Sequence, residues 1–359
     1  MRLVQVTAAG TGRRGAGLGN EAIAWGKSYA AAEALGLRLT APRWLLNRYG
    51  LGAQLGIGRG EMLRAELATR LLPSAELTEE QYRATGLVDF GEAAVSARDA
   101  GRLDGARVLV TSGMWGGYAA IAAARRPLRE RLLEVPGAAA LAASATSGAG
   151  LTVGLHVRRG DFSGPGPSAG TFNRPVPTGW FVSVVRTLQE QLPDAAYVVC
   201  TDAEEGALPE LTGLPHVRVV RGEGPGAPVQ ELAVLAACDL LVCSVSSFSM
   251  LAAFVSDRPY LWFAPQLTEV DDRLTLWGSE PAQRGQHSPT RRSLALRSDG
   301  VRARGIPVPA SGRVELTAVD LRTPEGGWDR RRDLLYYGAV PGGAAEADRS
   351  AAHDGGGAT

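Results

Sequence analysis

Short apolar runs alternate with helical segments in the second part of the chain, and this alternation constrains the fold more than any other feature. The apolar runs fall at residues 151–157, 196–201, 217–220, 240–244 and 259–263, and helices are expected at 179–191, 229–237 and 247–255. Strands that alternate with helices at this spacing form a parallel sheet with helices packed against it. The sequence therefore predicts a doubly wound α/β unit.

The first part of the chain has the same character with a weaker pattern. Asn20 is expected to cap the start of its first long helix and Gly36 to end that helix, because both residue types favour these positions. The elements predicted here are strands at 3–6, 37–40 and 107–111, a glycine-rich loop at 10–19 and a helix at 21–35.

The length of 359 residues predicts two domains. A segment at 137–150, rich in Ala, Ser and Gly, is either the connection between them or, through its alanines, an extension of a helix. We expect an N-terminal domain at 1–145, a second domain at 151–337 and a disordered tail at 338–359, which lacks apolar periodicity. A further strand is predicted at 313–321.

The charge balance excludes several function classes. The chain has 38 basic and 37 acidic residues, so it lacks the positive excess of a nucleic-acid or anionic-membrane binder. Lys27 is its one lysine, and any phosphate-binding cation is therefore expected to be an arginine. Three cysteines in apolar runs predict buried, reduced thiols. No apolar run reaches membrane-spanning length and no signal peptide is recognised, so we expect a cytoplasmic protein.

Two motifs of nucleotide-dependent enzymes are weak or missing. Gly10, Gly12 and Gly15 fit the glycine pattern of dinucleotide-binding folds, but no acidic residue follows at the end of a second strand. No Asp-x-Asp occurs, which removes the usual manganese anchor of metal-dependent glycosyltransferases. We therefore expect neither a nicotinamide cofactor nor a metal.

The strand at 151–157 ends in residues suited to an anion. Ligands of doubly wound sheets bind beyond the carboxyl ends of the strands. His156, Arg158, Arg159 and Asp161 lie there, and paired guanidinium groups suit a diphosphate. The alternative is a surface turn with a structural Arg–Asp pair.

Two later strand ends add polar groups. Asp202 is suited to accept hydrogen bonds from a ribose or a base edge, or else to cap the following helix. Ser246 and Ser247 begin a helix, where hydroxyls and free amides form an anion site or simply cap the helix. Phe248 either packs in the core or stacks on a ligand.

The run from His156 to Phe162 resembles the H-x-R-R-x-D signature of GDP-fucose fucosyltransferases, in the form found in the α-1,2-fucosyltransferases of glycosyltransferase family 11. Gly17-Leu18-Gly19-Asn20 resembles another block of that family, as do 177–202 and 237–253, and together these blocks cover about residues 3–265. The departures from the family pattern are Glu21, Thr201, Ala203, Val245, Met250 and Leu251.

The resemblance implies a GT-B architecture, in which two Rossmann-like domains face a central cleft. It implies inverting, metal-independent transfer of L-fucose from GDP-β-L-fucose to a hydroxyl of a glycan or small-molecule acceptor. Arg158, Asp161 and His156 would be catalytic, the last two as unranked candidates for the base. The donor-binding residues would be Arg158, Arg159, Asp202, Ser246, Ser247, Phe248, Gly17, Gly19 and Asn20. The alternatives are another GDP-6-deoxysugar transferred to a natural-product scaffold, and a nucleotide-sugar-binding protein without turnover.

Overall fold

Two parallel β-sheets form the frame of the chain. The computed structural model describes residues 3–12, 15–87, 89–148, 150–162, 174–266, 268–270, 273–275 and 305–316. The first sheet has the spatial order β2-β1-β4-β3, in which all neighbours are parallel. Its strands are β1 (Gln5–Ala8), β2 (Arg38–Leu39), β3 (Ser74–Leu77) and β4 (Val108–Thr111).

The second sheet has the order β12-β9-β8-β5-β6-β7, again with parallel neighbours throughout. Its strands are β5 (Thr152–Val157), β6 (Ala196–Thr201), β7 (Val217–Val219), β8 (Leu240–Cys243), β9 (Tyr260–Phe263) and β12 (Gly305–Val308). A short antiparallel pair, β10 (Thr268–Val270) and β11 (Arg273–Thr275), lies outside both sheets.

The connecting helices complete the α/β pattern. They are α1 (Leu18–Leu35), α2 (Leu51–Gln54), α3 (Arg59–Leu71), α4 (Glu79–Arg83), α5 (Phe90–Asp99), α6 (Arg125–Leu133), α7 (Ala138–Ala145), α8 (Thr178–Gln191), α9 (Pro209–Thr212), α10 (Ala227–Ala237) and α11 (Ser247–Ser256). The predicted α/β class with two Rossmann-like sheets is confirmed. Among the described residues, no helix has both the length and the apolar character needed to cross a membrane.

Strand β5 lies at the centre of the second sheet. All six of its residues are buried, as expected for a strand with neighbours on both sides and helices on both faces. From β5 the chain proceeds to β6 and β7 on one side, and then returns to β8 and β9 on the other. The order of the sheet therefore reverses between β5 and β8, which is where ligands bind in open α/β sheets.

Helix α11 of the second half is held by the first half at both of its ends. At its start, Gly19 of α1 packs so closely that a Cβ atom there would lie 2.2 Å from the Ser247 carbonyl oxygen. At its other end, Arg125 forms an ion pair with Asp257. Arg129 Nη1 donates to the carbonyl oxygens of Val255 and Ser256, at 3.2 and 3.3 Å, where the negative end of the helix dipole favours a cation.

The structure differs from the prediction at the start of α1. Helix α1 begins at Leu18, because the Gly17 carbonyl already accepts from the amides of Asn20 and Glu21, so Gly17 and not Asn20 is the N-cap. Its predicted end at Gly36 is confirmed by a left-handed φ of 64°. The segment 137–150 contains a separate helix, α7, which begins after Gly137 and is not an extension of α6, because α6 ends at Leu133.

No strand forms at 313–316, the described part of the predicted strand at 313–321. The edge strand β12 lies earlier in the chain, at 305–308. It contains Pro307, and because proline is tolerated mainly in edge strands, this residue makes the strand harder to predict from the sequence. Residues 317–359, including the predicted tail at 338–359, lie outside the described residues.

Candidate functional site

Two turns adjoin each other at the edge of the second sheet. The arginine turn, residues 158–161, follows β5, and the serine turn, residues 244–247, follows β8. The amide of Arg158 donates to Ser244 Oγ at 2.9 Å, and the amide of Ser244 donates to the His156 carbonyl oxygen at 3.0 Å. These turns are far apart in the chain, but β5 and β8 are neighbours, with His156 opposite Cys243. The structure thus brings the two predicted anion-binding segments together at the point where the sheet order reverses.

Asp202, at the end of β6, holds the arginine turn with both carboxylate oxygens. Oδ2 lies 2.9 Å from Arg158 Nη1, and Oδ1 accepts from the Arg159 amide at 2.6 Å. A Cβ atom on Gly160 would lie 2.3 Å from Oδ2, so this approach depends on glycine. Both partners of the ion pair keep 28% of their side chains exposed, and an incoming ligand can reach them.

Arg159 points away from its neighbour and braces the turn. Its Nη1 donates to the Arg158 carbonyl oxygen at 2.8 Å and its Nη2 to Thr178 Oγ1 at 2.7 Å. Thr178 is the first helical residue of α8, after Pro177, and its hydroxyl accepts this hydrogen bond. The contacts of Arg159 therefore suit a positioning residue for the turn.

His156 is buried behind the arginine turn, with 5% of its surface exposed. Its Nδ1 lies 2.6 Å from Ser249 Oγ, and its ring centroid lies 4.9 Å from that of Phe248. Burial, with a smaller contribution from Arg158, lowers the pKa of His156 to about 3. The imidazole is therefore neutral near pH 7, and its contacts join β5 to α11.

The serine turn forms the capped start of α11. Ser246 Oγ accepts from the Ser249 amide at 3.2 Å, as an N-cap residue does. Ser247 and Phe248 are partly exposed, and their amides belong to the first turn, where the helix dipole is positive. Phe248 packs against His156 and stays partly exposed.

The glycine loop of the first half reaches the same place. Gly19 contacts Ser247, and Tyr118 Oη donates to the Gly19 carbonyl oxygen at 2.5 Å. Gly17 precedes this contact as the N-cap of α1, and Asn20 follows it. Within the described residues, the buried Oδ1 atom of Asn20 has no hydrogen-bond partner.

Glu21 organises the glycine loop, a role that the sequence did not reveal. Its carboxylate is fully buried and accepts from the amide of Ala16 at 2.8 Å, the indole of Trp44 at 3.0 Å and the hydroxyl of Thr11 at 3.1 Å. The signal in the sequence was the acidic residue directly after the glycine loop, where the resembled family has Gln.

The remaining predictions concern Asp161, a metal site and the three cysteines. The side chain of Asp161 is not described, although its backbone lies in the 3-10 turn Gly160–Phe162. Within the described residues, no three His, Cys, Asp or Glu side chains are grouped to hold a metal ion. Cys200, Cys238 and Cys243 are buried free thiols, as predicted, and burial raises the pKa of each.

Comparison with known proteins gives structural likenesses only. No family model matches the chain, and no curated protein matches it either. Among solved structures, the chain resembles fucosyltransferase NodZ from Bradyrhizobium, with 16% identity, a TM-score of 0.48, and coverage of 76% of this chain and 100% of that one. POFUT1 in complex with GDP-fucose gives 11% identity, a TM-score of 0.44, and coverage of 72% and 97%. At these levels the likeness does not define an activity, which has to be argued from the residues themselves.

Proposed function

We propose that the chain is a GT-B glycosyltransferase that transfers L-fucose from GDP-β-L-fucose to a hydroxyl of a glycan or small-molecule acceptor, with inversion and without a metal. The adjacency of the arginine turn and the serine turn supports this proposal most directly. The resemblance of residues 156–162 to the H-x-R-R-x-D signature supports the choice of donor.

The diphosphate of the donor would lie between Arg158 and the start of α11. As the bond between the sugar and the diphosphate breaks, negative charge grows on the leaving oxygens and needs fixed donors nearby. The Arg158 guanidinium supplies a full positive charge, and the amides of the first turn of α11 supply the positive end of a helix dipole. Ser247 adds a hydroxyl, whereas Ser246 and Arg159 hold the two turns in place.

Asn20 is suited to a hydroxyl of the donor. A buried acceptor without a partner costs free energy unless a ligand or water satisfies it. Asn20 lies next to Gly19, which contacts the serine turn, so a donor bound there would bring its hydroxyls within reach. Asp202 would position Arg158 through their ion pair.

Inversion requires the acceptor oxygen to attack the anomeric carbon opposite the diphosphate. The new carbon–oxygen bond forms while the bond to phosphate breaks, its electron pair leaves with GDP, and the acceptor proton passes to a base or to water. A pKa of about 3 and the contact with Ser249 make His156 a poor base near neutral pH. Asp161 therefore stays as the candidate base on the arginine turn.

Calorimetry with GDP, UDP and ADP tests the nucleotide, and GDP release from GDP-β-L-fucose and other GDP-6-deoxysugars tests the donor. We expect GDP to bind at least tenfold more tightly than UDP or ADP, and turnover to be unchanged by EDTA. Preference for another nucleotide would contradict the proposal. Tight GDP binding without transfer to any acceptor would identify a nucleotide-sugar-binding protein.

A further inference from the structure

Helix α3 turns three leucines away from the protein. Leu63, Leu67 and Leu71, here called the leucine strip, are 46%, 43% and 76% exposed and follow one another at intervals of four residues. At about 100° per residue, they lie within about 40° on either side of Leu67 on the surface of the helix. Met62 and Ala65, on the opposite side, are buried. The leucine strip is therefore not the face with which α3 packs on the fold.

Arginines border the leucine strip on both sides. Arg64 and Arg70 lie about 60° to either side of Leu67, and Arg59 lies about 80° away on the same side as Arg70. All three arginines are exposed. An apolar strip between two rows of guanidinium groups is typical of a helix that lies on an anionic surface.

The two acidic residues of α3 already have partners. Glu61 Oε2 accepts from the Gly58 amide at 3.3 Å, at the start of the helix. Glu66 receives Arg43 with Nε to Oε2 at 2.6 Å and Nη2 to Oε1 at 3.0 Å, and Arg70 Nη2 lies 3.0 Å from the same Oε1 atom. One carboxylate is thus shared by two arginines, so positive charges outnumber negative ones among these residues.

The exposed apolar side chains of the described residues are concentrated around α3. Six of the ten large ones lie between residues 45 and 71, namely Leu45, Leu46, Tyr49 and the leucine strip. Leu46 is 78% exposed, and the ion pair of Arg43 with Glu66 connects its segment to α3. A group of exposed apolar side chains bordered by polar residues marks an interaction site, whereas single exposed leucines do not.

The charges argue against a second copy of the chain on the leucine strip. In any twofold pair of α3 helices, the arginine borders of one copy run along those of the other, so both edges of the interface carry arginines from both copies. Like charges placed side by side oppose association. Glu61 and Glu66, which could compensate them, are engaged with Gly58 and with Arg43.

An anionic lipid surface has the complementary charge and shape. The leucine strip is about 12 Å long and lies on a convex helix, which lipid chains can surround without a preformed groove. The arginine side chains are long enough to reach the phosphate groups while the leucines enter the acyl boundary. The net charge of the whole chain is only +1, so attraction by charge alone is weak and binding requires the leucines as well.

We propose that α3 docks the protein reversibly on the surface of an anionic bilayer. The helix lies parallel to the surface, Leu63, Leu67 and Leu71 enter the boundary of the acyl chains, and Arg64 and Arg70 contact lipid phosphates. This attachment needs no membrane-spanning segment and does not depend on the transfer reaction.

Co-sedimentation of the full chain with lipid vesicles tests the docking surface, in the absence of GDP. One set of vesicles contains phosphatidylcholine alone, and the other contains phosphatidylcholine and phosphatidylglycerol in the ratio three to one. We expect the anionic vesicles to bind the chain about tenfold more tightly, and high salt to reduce this binding several-fold. Equal binding to the two sets, or no binding to the anionic vesicles, would overturn the proposal.

Two pairs of variants locate the binding. Leu67→Asp is expected to weaken binding to anionic vesicles about tenfold, whereas Leu133→Asp, at a leucine of α6 that is 38% exposed, should not change it. Arg64→Gln should weaken binding several-fold, with Arg126→Gln of α6 as its control. Urea denaturation verifies that each variant is folded. Unchanged binding by folded Leu67→Asp and folded Arg64→Gln would overturn the assignment of α3.

Sedimentation velocity without lipid separates the membrane from a second copy of the chain. We expect the natural chain to have the same oligomeric state as Leu67→Asp, because the leucine strip is not used between copies. A dimer that Leu67→Asp dissociates would assign the strip to self-association and overturn the membrane proposal.

Discussion

The Oδ2 atom of Asp202 lies 2.9 Å from Nη1 of Arg158, so a carboxylate already occupies one edge of the guanidinium that we assign to the diphosphate. Its other oxygen accepts from the Arg159 amide at 2.6 Å. Asp202 therefore shapes the arginine turn and also opposes the negative charge of the ligand. The two effects can be separated, because asparagine preserves the acceptor oxygen and removes the charge.

Asp202→Asn is expected to tighten GDP binding about twofold to fivefold, the range of a partly exposed ion pair. The reason is that the diphosphate no longer competes with a carboxylate for Arg158, while the Arg159 amide keeps its acceptor. Calorimetry at constant ionic strength measures the change. A weaker affinity for GDP would show instead that the carboxylate itself contacts the nucleotide, as a ribose acceptor would.

Arg158→Ala is expected to reduce kcat/KM at least about 100-fold, corresponding to about 3 kcal/mol of transition-state stabilisation, and to weaken GDP binding. Arg158→Lys should recover only part of the loss, because an ammonium group lacks the bidentate geometry of guanidinium. Arg126→Ala, at an arginine with 88% side-chain exposure, is the control and should keep full activity. Near-normal turnover of folded Arg158→Ala would remove Arg158 from this role.

Gly19→Ala is expected to lower the free energy of unfolding by about 1–3 kcal/mol, since a new Cβ would overlap the Ser247 carbonyl oxygen. It should also displace the serine turn and weaken GDP binding. Gly60→Ala provides the comparison, because no atom lies within 4 Å of its added Cβ and alanine favours the helix. Urea denaturation distinguishes the two variants, and equal stability would argue against the close contact of α1 and α11.

The low pKa of His156 predicts an acid-sensitive fold. The folded pKa of about 3 lies below the ordinary value of 6.5, so the unfolded chain binds a proton that the folded chain excludes. The stability from this group is complete above about pH 6.5 and falls by about 1.4 kcal/mol per pH unit as the pH drops toward 3. Urea denaturation measures the free energy of unfolding at pH 6.5 and pH 5. This free energy should fall more between the two pH values for the natural chain than for His156→Gln. Equal losses would contradict the burial of the imidazole.

The lowered pKa of Lys27 predicts that the stability of the fold depends on pH in the neutral to alkaline range. Its Nζ lies 3.3 Å from the Ser112 carbonyl oxygen and about 5 Å from the ring centres of Tyr82 and Phe90. Burial lowers its pKa to about 7, partly offset by Glu79. Its contribution to stability is therefore complete only above the ordinary value of 10.5 and declines as the pH falls toward 7. From pH 7 to 8.5 the natural chain should gain stability relative to Lys27→Met, and a constant difference would contradict this assignment.

The central elements of the second half could be predicted because burial on both faces leaves a continuous apolar run. β5, β8 and α11 follow from such runs and from the serine cap of the helix. The edge strands were harder to predict from the sequence. β3 has one buried residue and three that are more exposed, and β12 contains a proline, so neither has the composition of a central strand.

The site was predictable where its residues directly follow a strand. Arg158 and Ser246 lie at the ends of neighbouring strands, and parallel pairing brings such ends together. The contacts of Glu21 were not predictable, because its partners are 5 to 26 residues away in irregular segments. The ion pair between Asp202 and Arg158 was equally hidden, since the spacing of β5 and β6 gives no indication of side-chain direction.

The fixing of α11 at both ends limits how the two halves of the chain can move relative to each other. Gly19 and Tyr118 contact the start of this helix, and Arg125 and Arg129 hold its end. Its ten residues form a helix about 15 Å long that the first half of the chain contacts at both ends. Hinge motion between the halves would have to break several of these contacts at once. The contact between Gly19 and the serine turn is therefore set when the protein folds.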